Sequence, residues 1–136
     1  MTAVTDPPVT VRVLAGSGAN DTYSNETRAH SAVLNSPTYV ASAPNGDVYF
    51  TDSANSVLRS FSYGTGIVGR VAGTPGLSGF RSGRALSALL GSPAGLCVPS
   101  PYGAPQVVVF AGENAHPFII PKSLRYIFSF FVFMYD

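Results

Sequence analysis

The ten residues RAHSAVLNSP, Arg28 to Pro37, return as RALSALLGSP, Arg84 to Pro93. Seven of the ten positions agree in a constant register 56 residues apart: Arg28/Arg84, Ala29/Ala85, Ser31/Ser87, Ala32/Ala88, Leu34/Leu90, Ser36/Ser92 and Pro37/Pro93. A period of this size marks a copied supersecondary unit, one that buries its apolar face only by packing on its neighbour. The flanks repeat more loosely. VRVLAG ending at Gly16 answers IVGRVAG ending at Gly73, and VYFTDSANSV from Val48 answers VVVFAGENAH from Val107, which pairs Asn55 with Asn114. The changes of register fall in Gly/Pro-rich connectors, where added residues cost little. One full unit and parts of two others are present.

Within the full unit, four strands are expected. TYVAS (Thr38 to Ser42) runs into an Asn45-Gly46 turn, a strong hairpin signal. DVYFT (Asp47 to Thr51) is rich in β-formers. SVLRSFS (Ser56 to Ser62) alternates Leu58 and Ser60 against Val57, Arg59 and Phe61, as a strand with one wetter face should. GIVGRVAG (Gly66 to Gly73) closes the set. Four consecutive antiparallel strands joined by short turns form a meander, the blade of a β-propeller. The Ala/Leu-rich connector predicts one or two helical turns, with Leu34 and Leu90 packed against the sheets. The expected fold class is therefore all-β: an incomplete β-propeller of about two blades, each a four-stranded antiparallel meander, with a hydrophobic C-terminal tail. The chain divides into an extension at 1–8, blades over 9–116 and a Phe-rich tail at 117–136.

The order and spacing of Ala15-Gly16, Ala32, Leu34-Asn35, Pro37, Gly46, Val48-Tyr49, Asp52, Asn55, Val57 and Arg59 resemble those of NHL-repeat propellers. The likeness runs from Val9 to His116. It implies a six-bladed ring used as a protein- or ligand-binding platform, as in teneurin-like ectodomains and bacterial sensor domains. A minority of related propellers are amidating lyases or lactonase-type hydrolases with a metal on the central axis. This chain departs from the pattern in two places. TYVAS and AGLCV lack the Asp that often ends the family's first strand, and Ala111 stands where the first hairpin has Asp52. The likeness stops at Pro117, where a third strand should begin. Six such units would need about 330 residues. A fragment, a truncated product or a piece that pairs with another chain is thus expected, with open sheet edges that favour self-association.

Charged residues make up 11% of the chain and the formal charge is +1, with no Lys/Arg cluster to meet a phosphate backbone, so nucleic acid is not an expected partner. The one cysteine, Cys97, excludes an internal disulfide and a cysteine-built metal site and reads as a small buried residue. No basic-then-apolar leader opens the sequence. Two glycosylation sequons occur, at Asn20 and Asn25. The tail PFIIPKSLRYIFSFFVFMYD is almost wholly apolar from Tyr126 to Tyr135. A membrane-spanning helix needs about 20 apolar residues, and Pro121 weighs against one, although Lys122 and Arg125 have the reach to snorkel. A buried strand, a membrane-surface segment, a membrane span and a non-native chain end all remain open. Localisation leans only towards membrane association.

Candidate chemistry is sparse. GTGIVG (Gly64 to Gly69) matches a dinucleotide fingerprint in letters, but RVAGTPGLSG follows instead of a helix, and no acid lies between Asp52 and Glu113 to bind a ribose. A turn is the expectation. His30 and His116 stand alone, whereas a metal site needs three or four convergent ligands. Ser17 and Ser78 lack the spacing of an activated nucleophile. The inner strands TYVAS and AGLCV offer no His, Asp, Glu or Asn to an axial metal. Asp52 is expected to accept amide protons from the residues after it in an Asx turn, and Asn55 to supply a left-handed residue. A Ca²⁺ site would need better oxygen donors than Ser53 and Ser56. No catalytic residue, metal or cofactor is expected. The leading expectation is a non-catalytic binding or scaffold module for an unidentified protein or small ligand. The alternatives are a remnant of a propeller hydrolase or lyase with an axial metal, and a product anchored to a membrane by its tail.

Overall fold

The computed structural model describes residues 8–19, 23–98, 106–111, 117–121 and 126–129. The first unit consists of β1 (Thr27–Arg28), a 3₁₀ turn (Ala29–Ser31), β2 (Pro37–Ser42), β3 (Val48–Asp52), a 3₁₀ turn (Ser53–Asn55), β4 (Val57–Ser62) and β5 (Ile67–Ala72). The second consists of β6 (Gly83–Arg84), a 3₁₀ turn (Ala85–Ser87), β7 (Pro93–Cys97), β8 (Gln106–Ala111), β9 (Pro117–Pro121) and β10 (Tyr126–Ser129). Every pairing among the described residues is antiparallel. The sheet orders are β1-β5-β4-β3-β2 and β6-β10-β9-β8-β7. The chain is all-β, and the same sheet is built twice.

Each sheet has one strand more than the four-stranded meander expected. The short strands β1 and β6, just before the repeated connector, add themselves to the outer edge of β5 and β10. The connector itself makes a single 3₁₀ turn in each unit, because Ala-His-Ser and Ala-Leu-Ser are too short for a stable α-helix. β9 and β10 fall within residues 117–136, and β9 takes a proline at each end, where the missing N–H is least disruptive.

The repeat extends to backbone detail. Ser36 and Ser92, each before a proline, both have positive φ, 53° and 41°. β2 and β7 both slip register just after that proline, between Pro37 and Val40 and between Pro93 and Gly95. The Gly16 amide donates to the Ala29 carbonyl at 2.8 Å, and the Gly73 amide to the Ala85 carbonyl at 2.9 Å. Beside these joints, the Ser17 amide and the Thr74 hydroxyl donate to the carbonyls of Ala32 and Ala88.

Each face of the first sheet carries a buried apolar cluster. Its own connector covers one: Ala29, Ala32, Phe50, Phe61 and Val68 form a buried cluster against which Ala15, Leu34 and Val48 pack. The other face carries Leu58 and Ala72, sealed by Ala88 and Leu90 of the next connector, with Tyr49 and Leu96 alongside. Val68 and Ala72 lie four apart yet face opposite ways, because a bulge opposite Leu58 and Arg59 adds a residue to β5. Hence the wetter face expected for β4 does not occur. Val57, Leu58, Arg59 and Phe61 are all buried, since the second unit covers the face that a lone sheet would leave to water. The units also meet where β7 lies against β2 and β3, with the Pro93 carbonyl accepting from the hydroxyls of Thr38 and Ser53.

Gly73 carries the sharpest backbone demand. Its φ is +91°, and a Cβ there would lie 2.4 Å from the Ser56 carbonyl oxygen. At the equivalent Gly16, φ is +108° but the nearest atom is a flexible Leu34 methyl at 3.4 Å. Gly73→Ala is therefore expected to lower stability by more than about 2 kcal/mol in urea unfolding, and Gly16→Ala by clearly less. Equal losses would contradict this account of the joint.

Candidate functional site

The polar groups with chemical potential meet in one place, behind the β3–β4 hairpin. Asp52 ends β3 and Arg59 lies in β4, and both side chains are 0% exposed. Their separation of 3.3 Å makes a buried ion pair. Strand alternation puts them on one face, with the 3₁₀ turn at Ser53–Asn55 between them.

Asp52 does not form the Asx turn expected of it. It makes no capping bond to the turn that follows. One carboxylate oxygen, Oδ1, accepts the backbone N–H of Asn35 at 2.6 Å, from the connector 17 residues earlier. The other, Oδ2, accepts from the Asn55 side-chain amide at 2.9 Å and from Arg59 Nη1. The left-handed residue of the hairpin is Ser56, with φ 56°, and not Asn55. Asn55 is held instead by its side chain on Asp52 and by its carbonyl, which accepts the Gly76 amide at 3.0 Å. Local turn chemistry gives way here to long-range fastening.

The guanidinium of Arg59 is a second fastener. Nη1 donates to the Val33 carbonyl at 2.8 Å, and Nη2 to the carbonyls of Ser24 at 2.7 Å and Asn25 at 3.2 Å. Its charged carbon sits 5.0 Å from the centre of the Tyr23 ring, in range of a cation–π contact. Arg59 Nε and the Tyr23 hydroxyl have no hydrogen-bond partner among the described residues. Burial raises the Tyr23 phenol above its ordinary 10.0, while the Arg59 charge pulls the other way. Desolvating two charges offsets most of their attraction, so such a pair adds little net stability; removing one partner is what costs, about 3–5 kcal/mol. The centre orders the connector, and neither charge is offered to a ligand.

The remaining sequence candidates are scattered. His30 is exposed on the first 3₁₀ turn, and Ser17 and Ser78 are exposed in connectors. Gly64–Gly69 is the turn between β4 and β5, running into β5 itself. The Asn25 side chain is exposed, while its carbonyl is engaged by Arg59. Asn20, His116 and the side chain of Cys97 lie outside the described residues. Among the described residues no three His, Cys, Asp or Glu converge on a metal position. No helix there is long and apolar enough to cross a membrane.

Strand alternation also leaves an open feature that the sequence reading missed. A groove of about 410 Å³ runs between residues 12–15 and the first sheet, lined chiefly by Leu14, Leu34, Val40, Phe50 and Phe61, with Tyr39 at its side. Its signal in the sequence was the apolar alternation Val9, Val11, Val13 in a segment that pairs with no strand among the described residues. A scan of protein-family models finds no match for the chain, and a search of curated proteins finds no relative.

Two measurements test the buried centre. Asp52→Ala and Arg59→Phe are each expected to destabilise by about 3–5 kcal/mol, and the double variant by clearly less than their sum. Simple additivity in a double-mutant cycle would show that the pair is not coupled. For the phenol, the unfolded chain ionises first, so stability is complete below pH 10 and falls as pH rises beyond it. Tyr23→Phe should flatten that fall in alkaline denaturation. Tyr49, raised by burial and by Asp47, supplies the part that remains.

Proposed function

We propose that the chain is a pair of NHL-like propeller units that serves as a non-catalytic protein- or ligand-binding scaffold. The observation that carries this reading is the double construction: one repeat gives two sheets of the same order, with the same bulge and the same glycine joint, and the second covers the first. Meanders that pack in series are how propellers and other repeat architectures extend a core.

The non-catalytic half of the proposal is supported by where the reactive groups sit. Asp52 and Arg59 are the obvious acid and cation of the hairpin, and both are buried with their hydrogen bonds committed to the chain itself. What faces outward is an apolar groove beside β2, the innermost strand of the proposed blade. A surface of that kind recognises another apolar surface by shape and burial. The near-neutral charge of +1 supports a protein or small ligand as the partner in place of nucleic acid.

Metal analysis of the purified chain, with assays for lactone hydrolysis and for amidating-lyase turnover, tests the reading. Neither stoichiometric metal nor turnover is expected. One metal per chain together with turnover would make the chain a member of the enzymatic branch.

A further inference from the structure

The groove identifies its own occupant through the repeat. Pro37/Pro93 and the paired bulges make Val40 the counterpart of Leu96, just as Ala32 and Leu34 are those of Ala88 and Leu90. In the second unit, Ala88, Leu90 and Leu96 pack against Leu58, Ala72 and Tyr49 of the first. In the first unit, Ala32 and Leu34 pack on their own sheet with no neighbouring sheet beyond them among the described residues, and Val40 is 68% exposed. The segment ahead of it has the matching defect. Ala15-Gly16 corresponds to Ala72-Gly73, so Val9 to Ala15 is a counterpart of β5, yet it pairs with no strand among the described residues. Val9, Val11 and Val13 are 93%, 92% and 63% exposed.

We propose that this face is an interface for a second copy of the chain, joined head to tail. The sheet β7–β9 of the second copy lies against Leu34 and Val40, and Val9 to Ala15 adds to its β9 as the outer strand. This continues the contact that the two units already make inside one chain. In the single chain β10 holds that outer place, pairing Phe128 with Ile119 and Ser129 with Phe118 of β9 among the described residues, so it is the strand displaced. The register follows from the repeat. Val11 is the counterpart of Val68, which pairs with Phe61; Phe61 in turn corresponds to Ile120, since both follow the Val48/Val107 pairing. Val11 of one copy therefore stands opposite Ile120 of the next. Such a contact is heterologous, closing into a ring or extending as a fibre according to its rotation.

The inference names the partner within the scaffold reading and rests on it. The two fail separately, because metal and turnover assays do not depend on assembly. Sedimentation of the full chain from about 1 to about 200 µM should show mass growing with concentration. Val11→Lys with Val13→Lys should weaken association by about tenfold or more. These exposed positions leave the far-UV spectrum unchanged, and Leu77→Lys, away from the groove, should leave association unchanged. In a Cys97→Ser background, a Val11→Cys chain mixed with an Ile120→Cys chain should form a disulfide on oxidation. Residues opposite one another in an antiparallel pair have Cα atoms about 4.5–5.5 Å apart, within disulfide range. A monomer at every concentration, association untouched by the two lysines, or ready cross-linking of Val11→Cys to itself would each overturn the proposal.

Discussion

A carboxylate with no access to water sets the geometry of the first unit. Three donors from different parts of the chain converge on Asp52: the Asn35 amide, the Asn55 side chain and Arg59. Arg59 in turn needs the carbonyls of Ser24, Asn25 and Val33. Each charge compels the other and both compel the connector, so the segment from Tyr23 to Asn35 is drawn onto the sheet. The apolar contacts of Ala29, Ala32 and Leu34 then follow from a position already fixed. Ion pairs of this type do little for net stability, but losing either partner is costly, so the connector is held where the pair needs it.

The second unit reaches the same strand order without that centre. Ala111 stands at the place of Asp52, and the β8–β9 register puts Phe118 at the place of Arg59. The acid and the base are absent together, as a coupled pair should be. Removing one alone would strand a buried charge.

Strand content was legible in the residues. The four central strands of the first unit lie within a residue or two of where Thr38–Ser42, Asp47–Thr51, Ser56–Ser62 and Gly66–Gly73 put them, because β-branched and aromatic runs between Gly and Asn turns leave the backbone few alternatives. Leu34 and Leu90 pack as their place in the repeat implied. What stayed hidden was long-range. β1 and β6 are two residues long and carry no periodicity; they exist only because an outer edge is there to receive them. The role of Arg59 was hidden because alternation within one strand cannot reveal that carbonyls of the preceding connector, at Ser24, Asn25 and Val33, will converge on its guanidinium. The clue to its role lay in comparing both hairpins position by position, where Asp52/Ala111 and Arg59/Phe118 change in step.

The glycine joint has a consequence for how such a chain can grow. Gly16 and Gly73 each end one sheet's last strand, or its counterpart, while their amides close on the 3₁₀ turn that begins the following unit. The seam between units therefore runs through a hydrogen bond and is no free linker. The two glycines stand 57 residues apart and the two alanines 56, so the joint keeps its glycine amide and alanine carbonyl across a one-residue change of spacing. The difference falls between glycine and alanine, 13 residues apart in the first joint and 12 in the second, a span that in the second joint holds the exposed Gly76–Ser78 stretch. The seam is thus kept by its hydrogen bond, and the span inside it takes up a change of length.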